Sequence, residues 1–315
     1  MEKINCPICG GKDFKFVLKG VDNLHEIEGE FNVFKCVHCS LILTNPRPDS
    51  FEIEKYYPDE YKPYKLNFKR AKWMASLRRK YKWLFKIINP SMTLDLDSNR
   101  KKANILEIGC GAGNFLYELK YMHPSWNIQG TDFNKKSIEK LKKYGVDTFV
   151  SDLTEIPLES DSIDIVYGWM ILEHIHKINE ALREVHRVLK KDGKFSFSIP
   201  NAGSWEFRFF AQNWFALQLP SHLYHFTEIT ITKILEKNGF KIEKILHQII
   251  LANIFSSLKI IIKKSFLPKP VKFFFSSLLS WNLVYFFLTL PIAYIIAMFR
   301  QSGRLTIIAK KINDF

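Results

Sequence analysis

The sequence predicts an α/β fold built on a mostly parallel sheet. Apolar strands alternate with amphipathic helices between residues 103 and 250, and this alternation produces parallel sheets with right-handed crossovers. Residues 104–108 form an apolar strand that runs directly into a glycine-rich turn and then a helix. A chain of 315 residues is long enough for one core of about 200 residues with additions.

Three glycines at alternate positions, Gly109, Gly111 and Gly113, follow the first of these strands. Glycine reaches positive φ at low cost, so the chain can bend sharply, and the following helix presents unpaired N–H groups to a ligand. Asp132 ends the next strand, where a carboxylate can bind the two hydroxyls of a nucleotide ribose. A dinucleotide fingerprint places its third glycine one position later, where this chain has Asn114.

Glu107 together with the three glycines resembles the first motif of class I S-adenosylmethionine-dependent methyltransferases. The resemblance continues through the fourth strand and the residues after it, 162–175, and covers roughly 103–240 plus the last strand. It implies a Rossmann-like methyltransferase fold, with a mostly parallel seven-stranded sheet and an antiparallel last strand. It also implies S-adenosylmethionine as the cofactor.

The resemblance further implies which residues contact this cofactor. In the family the acidic residue that ends the second strand binds the ribose, an aromatic neighbour lies beside the adenine, and a later Asp-Leu pair lies beside the adenine amine. The implied set is Glu107, Gly109, Gly111, Gly113, Asp132, Phe133, Asp152, Leu153 and Trp169.

Two Cys-x-x-Cys pairs lie in the first forty residues. They consist of Cys6 with Cys9 and Cys36 with Cys39, with two short strands predicted between them at 14–18 and 30–35. Two such pairs complete a tetrahedral zinc site, and four protein ligands leave no open position for chemistry. We therefore expect a small zinc ribbon with a structural metal. A redox pair is the alternative, and it does not account for two matched pairs around a strand-like insert.

Methyl transfer to a hydroxyl or a carbon acid needs a base in addition to correct alignment. One candidate segment is Glu173-His174, after the fourth strand. The other is 219–226, after the fifth strand, where Pro220-Ser221-His222 is similar to a Pro-x-His segment of related methyltransferases. We expect His222 to be the base, supported by His225 and Tyr224. Packing or orienting roles for these side chains are the alternative.

The net charge of +14 is unevenly distributed. Residues 61–102 hold 13 Lys and Arg against two Asp, and they include a predicted basic and aromatic helix over Leu66–Ile88. Its role is interpreted as a lid over the cofactor, with membrane contact and RNA binding as alternatives. The acidic residues of the ribbon and the absence of an Asn-Pro-Pro-aromatic signature after the fourth strand argue against a nucleic-acid acceptor.

Residues 273–299 carry no charge. They lie between the predicted sixth strand, 239–250, and seventh strand, 304–310, which pair in one sheet, so a single membrane crossing between them is impossible. We predict a helical hairpin or re-entrant element in one leaflet, turned at Pro268–Pro270, bent near Pro291 and ringed by lysines that meet anionic headgroups. A homodimer interface or a buried lid is the alternative.

These interpretations give four segments. They are a zinc ribbon at 1–45, a linker with a basic helical lid at 46–102, a cofactor-binding core at 103–250 plus 303–315, and an apolar insertion at 251–302. The start of the chain has no apolar signal segment, so we expect a cytoplasmic protein held peripherally or monotopically at the inner face of the membrane.

The expected reaction is methyl transfer to an O or C atom of a small molecule, either a sugar or a lipid-linked glycan intermediate of polysaccharide biosynthesis. The amino-terminal region is similar to that of zinc-ribbon sugar methyltransferases, but the extra carboxyl-terminal domain of the C-methylating group is not found in this sequence. An RNA methyltransferase and a non-catalytic binding module of the same fold are the alternatives.

Overall fold

A computed structural model describes residues 1–57, 68–81, 83, 101–143, 145–279 and 282–312. The chain divides into two compact units, each made of segments that are distant in sequence. Unit 1 comprises Met1–Tyr57, Pro200–Ile231 and His247–Leu305. Unit 2 comprises Pro58–Ile199, Thr232–Leu246 and Thr306–Phe315. This division differs from the four segments predicted from sequence, because the ribbon, the segment after the fifth strand and the apolar insertion form one unit.

The strands are numbered in chain order. They are β1 (Phe14–Val21), β2 (Glu30–Cys36), β3 (Ile42–Thr44), β4 (Asn104–Ile108), β5 (Asn127–Asp132), β6 (Asp147–Val150), β7 (Ile163–Trp169), β8 (Leu189–Pro200), β9 (Tyr224–His225), β10 (Phe240–His247) and β11 (Arg304–Lys311).

The α-helices are numbered in the same way. They are α1 (Phe68–Lys80), α2 (Asn114–Met122), α3 (Lys135–Lys143), α4 (Ile178–Val188), α5 (Trp205–Phe210), α6 (Glu228–Lys237), α7 (Ala252–Lys264), α8 (Lys269–Leu278) and α9 (Asn282–Met298). Short 3₁₀ turns lie at Glu52–Tyr56, Leu172–His174, Ala211–Asn213 and Phe215–Leu217.

Seven strands form the larger sheet, in the order β10-β11-β8-β7-β4-β5-β6. The pairs β4–β5, β4–β7, β5–β6 and β7–β8 are parallel. β11 runs antiparallel to β10, since the Ile312 amide donates to the Gly239 carbonyl at one end and the Gln248 amide donates to the Arg304 carbonyl at the other. The predicted mostly parallel, seven-stranded Rossmann-like sheet is therefore confirmed.

The strand and helix periodicities of the sequence explain which residues are buried in the core of unit 2. Ile105, Leu106 and Ile108 of the central strand β4 are fully buried, as expected for a strand covered on both faces. The buried residues of α4 recur at the spacing of one helix face and are Ile178, Ala181, Leu182, Val185 and Val188.

Side chains cap the starts of two helices. The Ser137 amide donates to Asn134 Oδ1 over 2.9 Å at the start of α3, and the Thr230 amide donates to Thr227 Oγ1 over 3.2 Å at the start of α6. Gly145 and Gly239 follow the ends of these helices with φ of +70° and +80°. Side-chain caps and left-handed glycines thus set these boundaries locally.

The basic helix predicted over Leu66–Ile88 is present as α1, and the rest of that range lies largely outside the described residues. α1 packs on α2 through the buried Ala71 and Ala75. Arg78 Nη1 lies 2.9 Å from Glu118 Oε1 of α2, and both side chains are largely buried. One face of α1 is therefore fixed against the helix that follows the glycine turn.

Unit 1 contains a four-stranded antiparallel sheet in the order β1-β2-β3-β9. The two strands predicted between the cysteine pairs are confirmed as β1 and β2. β9 pairs with β3 so that Ile42 faces His225 and Leu43 faces Tyr224. The segment that follows the fifth strand of the larger sheet therefore forms the edge of the ribbon's sheet.

The apolar insertion starts and ends at the same place. The Ser302 hydroxyl donates to the Gln248 carbonyl over 2.6 Å, and Asn253 Nδ2 donates to the Gly303 carbonyl over 3.4 Å. The chain turns between α7 and α8 at the predicted prolines, and α9 contains Pro291. In the described part of the chain, no helix has the length and apolar character needed to cross a membrane.

Candidate cofactor site and cysteine cluster

The glycine turn has the backbone conformation that its sequence predicts. Gly109, Gly111 and Gly113 have φ of +65°, +51° and +70°. A Cβ on Gly109 would lie 2.6 Å from Cδ1 of Ile171, and a Cβ on Gly113 would lie 2.6 Å from Cδ2 of Leu141. Both glycines are therefore required by conformation and by space.

Gly113→Ala is expected to destabilise the protein more than Gly145→Ala. Both residues have φ of +70°, but a Cβ at Gly145 meets nothing within 4 Å. The left-handed conformation costs about 1–2 kcal/mol in each variant, and overpacking against Leu141 adds about 1–3 kcal/mol in the first alone. Urea unfolding of the two variants measures the difference, and equal losses would contradict the packing argument.

Asp132, at the carboxyl end of β5, closes the turn. Its Oδ2 accepts the Gly111 amide over 2.8 Å, and its Oδ1 accepts the Asn134 amide over 2.9 Å. The side chain is buried, and burial raises its pKa. The three backbone amides near it lower the pKa by less, so the pKa of Asp132 is raised overall. One carboxylate thus joins the glycine turn to the start of α3.

Glu107, the last-but-one residue of β4, is a second buried carboxylate beside Asp132. Burial raises its pKa well above the usual value, and the charge of Asp132 raises it further. Its Oε2 has no hydrogen-bond partner among the described residues. A buried oxygen without a partner costs free energy, so this atom is suited to accept a hydrogen bond from a ligand.

The other residues of the implied cofactor set also lie in unit 2. The Phe133 ring is half exposed directly after Asp132. Asp152 Oδ1 accepts the amide and the hydroxyl of Thr154 over 2.8 and 2.7 Å. Burial raises the Asp152 pKa, but the Thr154 hydrogen bonds outweigh it and leave the pKa lowered. The neighbouring Leu153 is buried, with φ of +70°.

Trp169, at the end of β7, completes this set. Its ring lies edge-on to Phe115 of α2 at a centroid separation of 5.2 Å, and its Nε1 is buried without a hydrogen-bond partner among the described residues. The chemistry of these residues fits S-adenosylmethionine. Carboxylates can accept from the ribose hydroxyls and the ammonium group, and aromatic rings can cover the adenine.

Sequence reasoning missed Gly130 in the middle of β5. A Cβ there would lie 2.3 Å from Cδ1 of Leu116 and 3.1 Å from Sγ of Cys110, so this glycine lets α2 and the glycine turn pack on the strand. A glycine inside a strand signals close approach and could have been found. Glu206 was also missed. It is fully buried and accepts Trp214 Nε1 and the Gly303 amide over 3.2 and 3.1 Å, contacts that no local pattern predicts.

The four amino-terminal cysteines lie together in unit 1. Cys6 Sγ is 3.2 Å from Cys39 Sγ, Cys9 Sγ is 3.5 Å from Cys36 Sγ, and all four sulfur atoms lie within 4.8 Å of one another. A tetrahedron with Zn–S bonds of about 2.3 Å has edges of about 3.8 Å, so the cluster fits one zinc ion after small adjustments.

The two cysteine pairs have the same turn geometry. The Gly10 amide donates to the Cys6 carbonyl over 2.8 Å, and the Ser40 amide donates to the Cys36 carbonyl over 3.0 Å. Gly10 and Ser40 have φ of +73° and +70°. Two equivalent turns that direct two sulfur atoms each toward one point are the arrangement expected of a four-cysteine metal site.

The three predicted catalytic side chains are buried inside unit 1. Tyr224 Oη accepts from Arg47 Nη1 over 2.9 Å, and His225 Nε2 lies 3.3 Å from Thr44 Oγ1. Burial lowers the pKa of His225 to about 3. His222 Nδ1 lies 2.9 Å from the Ala216 carbonyl. The contacts of Tyr224 and His225 stabilise the ribbon's sheet, and the catalytic assignment of all three stays a prediction.

Comparison with known proteins agrees with this geometry. The model of a family described as "Methyltransferase domain" matches residues 78–245, more than half of the chain. The chain is 32% identical over 98 residues to a demethylmenaquinone methyltransferase of Lactobacillus johnsonii, covering 28% of this chain and 40% of that protein. It is 28% identical over 159 residues to a tRNA N(3)-methylcytidine methyltransferase of Schizosaccharomyces pombe, covering 47% and 62%.

Among solved structures, an Archaeoglobus fulgidus S-adenosylmethionine-dependent methyltransferase matches with a TM-score of 0.46 at 20% identity. The match covers 76% of this chain and 94% of that one. The chain spans about a third to a half of the length of the first curated relatives that it matches. By its family match the chain belongs to the methyltransferase domain family, and its seven-stranded sheet has the class I, Rossmann-like fold.

Proposed function

We propose that the protein transfers the methyl group of S-adenosylmethionine to an O or C atom of a small molecule, a sugar or a lipid-linked glycan intermediate of polysaccharide biosynthesis. The observation that carries the proposal is the pair of buried carboxylates at the glycine turn, Glu107 and Asp132. Methyl transfer is an in-line displacement in which the acceptor atom bonds to the methyl carbon as the carbon–sulfur bond breaks. The protein must align the two reactants and remove the acceptor's proton.

We propose His222 as the group that takes this proton. The Ala216 carbonyl beside Nδ1 favours the tautomer that carries the proton on Nδ1, which leaves Nε2 as the basic nitrogen. His225 is a weaker candidate because its lowered pKa makes it a poor base. In this assignment Tyr224 and His225 hold the segment in the sheet, and His222 receives the proton.

Charge supports a small acceptor over a nucleic acid. The ribbon loop between β1 and β2 carries Asp22, Glu26 and Glu28, and Glu30 begins β2; these carboxylates would repel phosphates. RNA remains the second candidate, because a relative is named a tRNA methyltransferase and residues 61–102 are strongly basic. RNA binding that weakens steeply with added salt, together with methyl transfer to RNA, would favour this second candidate.

We further propose that Cys6, Cys9, Cys36 and Cys39 hold a structural zinc ion. Cysteine thiolates are preferred zinc ligands, and a site with four protein ligands has no position left for a substrate. In this proposal the metal holds the two cysteine turns and the ribbon's sheet together. It takes no part in the methyl transfer.

Asp132→Ala is expected to weaken S-adenosylmethionine binding by about 10- to 100-fold, because hydrogen bonds to a charged group contribute about 1.5–3 kcal/mol. Titration calorimetry of the zinc-loaded protein measures the affinity. Asp147→Ala is the matched control, since Asp147 lies at the opposite, exposed end of the neighbouring strand and accepts from Gln129 Nε2 over 2.7 Å.

Asp132→Asn keeps the side-chain volume, and it replaces Asp132→Ala as the test variant if the alanine variant does not fold. Micromolar binding by the wild type that is lost in Asp132 variants and kept in Asp147→Ala would support the cofactor assignment. It would then justify screening sugar and lipid-linked acceptors. Absence of binding by folded, zinc-loaded protein would favour a non-catalytic module.

A further inference from the structure

Unit 1 exposes an unusual number of large apolar side chains on the last part of its helical insertion. We call this region the 265–299 face. It includes the turn between α7 and α8, where Phe266 is fully exposed, and it continues along α8 and the second half of α9. Its exposed apolar members are Phe266, Leu267, Phe273, Phe274, Phe275, Leu278, Ile292, Tyr294, Ile295, Met298 and Phe299.

The helix that leads to this face is firmly held in unit 1. Ser257, on the inner side of α7, is fully buried, and its hydroxyl accepts the Phe215 amide over 2.8 Å. Lys272 Nζ of α8 donates to the Lys263 carbonyl over 2.9 Å, which ties α8 back to the end of α7. The helices that carry the exposed rings are therefore fixed to the rest of unit 1 by hydrogen bonds.

The insertion itself, residues 251–302, carries only positive charges. It contains no Asp or Glu, and its cations are Lys259, Lys263, Lys264, Lys269, Lys272 and Arg300. The acidic ribbon loop lies beside one end of it, where Glu26, Glu28 and Glu30 line a pocket with Lys263 and Lys264. Lys263 pairs with Glu26 and Arg300 pairs with Glu228. Within the described residues no acidic side chain pairs with Lys269 or Lys272, which flank the α8 aromatics.

A second copy of this chain fits the face poorly. In a twofold dimer the same patch meets itself, so Lys269 and Lys272 would approach their own copies, and the insertion holds no acid to compensate them. A bilayer that contains anionic lipid matches both the positive charge and the apolar side chains of the 265–299 face. Its headgroups attract the lysines, and its acyl boundary takes up aromatic and aliphatic side chains.

We propose that the 265–299 face docks on the surface of an anionic membrane. Phe266, Phe273 and Phe274 enter the interface, and Lys269 and Lys272 contact the headgroups. The docking site goes beyond the methyl transfer proposed above, and its test does not depend on the acceptor.

Flotation of the full-length, zinc-loaded protein with vesicles tests the proposal. We expect binding to vesicles of phosphatidylcholine with 30% phosphatidylglycerol, weaker binding to pure phosphatidylcholine, and loss of binding as salt is raised. Phe273→Ser/Phe274→Ser is expected to weaken binding at least about tenfold. Lys269→Gln/Lys272→Gln is expected to weaken binding to the anionic vesicles by roughly 30-fold.

The matched control is Phe16→Ser/Phe51→Ser, which removes two aromatic rings that are also exposed in unit 1 but lie outside the face. It should bind vesicles like the wild type. Calorimetry with S-adenosylmethionine on every variant separates a failure of docking from a failure of cofactor binding. Absence of wild-type flotation, or equal loss in the control, would overturn the proposal. A dimer in vesicle-free buffer that the Phe273/Phe274 change dissociates would also overturn it, in favour of self-association.

Discussion

Cys36→Ser is expected to abolish stoichiometric zinc binding and to unfold the ribbon's sheet. Cys36 ends β2, is fully buried, and supplies one of the four clustered sulfur atoms. Structural zinc contributes about 10–16 kcal/mol in small zinc domains, which is comparable to the roughly 5–15 kcal/mol by which whole domains are stable. Few compensating contacts are available to a sheet whose third and fourth strands have three and two residues.

Two measurements test this prediction. Mass spectrometry of the metal gives the zinc content, and amide hydrogen exchange across residues 1–57 reports whether the ribbon's sheet is folded. Cys110→Ala is the control, because Cys110 lies in the glycine turn of unit 2, away from the cluster in sequence and in unit. It should keep one zinc per chain. Full zinc occupancy and unchanged exchange in Cys36→Ser would contradict the four-cysteine assignment. A strong chelator should reproduce the effect of the substitution in the wild type.

The same experiment should also affect the segment that contains the predicted base. β9 pairs with β3, and the Thr44 hydroxyl donates to the His222 carbonyl over 3.0 Å. Loss of the ribbon's sheet would therefore release Tyr224 and His225 from their partners, and hydrogen exchange at residues 219–226 should rise together with exchange at residues 30–44. If His222 is the base that we propose, loss of the zinc ion would also displace the group that receives the acceptor's proton.

Local chemistry explains which features were predictable from sequence. The glycine turn and Asn134, which caps α3, act within a few residues of their own strand and helix, so their spacing specifies their structure. The paired cysteines were predictable for the same reason, because each cysteine turn is closed by a hydrogen bond within five residues. Asp132 accepts from Gly111, 21 residues away, and its position at the end of a strand made it predictable. These features are the ones that the structure reproduces most closely.

Features that depend on distant segments were not predictable in the same way. Nothing in the sequence of residues 224–225 indicates pairing with β3, because a two-residue strand has no periodicity. Glu206 lies fully buried because Trp214 and the Gly303 amide satisfy it, and Gly303 is about a hundred residues away. The domain boundaries differed for this reason, since three separate segments of the chain build unit 1.

Glu107→Gln is expected to weaken S-adenosylmethionine binding by about tenfold or more while it stabilises the protein without cofactor at alkaline pH. Wild-type Glu107 is buried beside Asp132, with Oε2 unpartnered among the described residues, so its charge is costly until a ligand donates to it. Glutamine keeps the shape and removes the charge. The expected gain in the free energy of unfolding is about 1–3 kcal/mol.

The pH dependence follows from the raised pKa. The folded protein holds the Glu107 proton more tightly than the unfolded chain does, so the contribution of Glu107 to stability is greatest below the ordinary glutamate pKa and is lost as pH rises toward the folded-state pKa. Asp132, whose pKa is also raised, contributes in the same direction. Glu107→Gln removes the Glu107 contribution, so the free energy of unfolding should fall less with rising pH in this variant than in the wild type.

Cofactor binding should show the opposite trend. S-adenosylmethionine is cationic at its sulfonium and ammonium groups, so ionised Glu107 binds it better, and wild-type affinity should rise with pH across the same interval. Urea unfolding without cofactor and calorimetry with it, from pH 5.5 to 8.5, measure both trends. Glu139→Gln is the control, since it removes one charge from an exposed position on α3 where Lys135 lies 3.9 Å away. A cofactor affinity that varies with pH equally in Glu107→Gln and the wild type would remove Glu107 from the cofactor site.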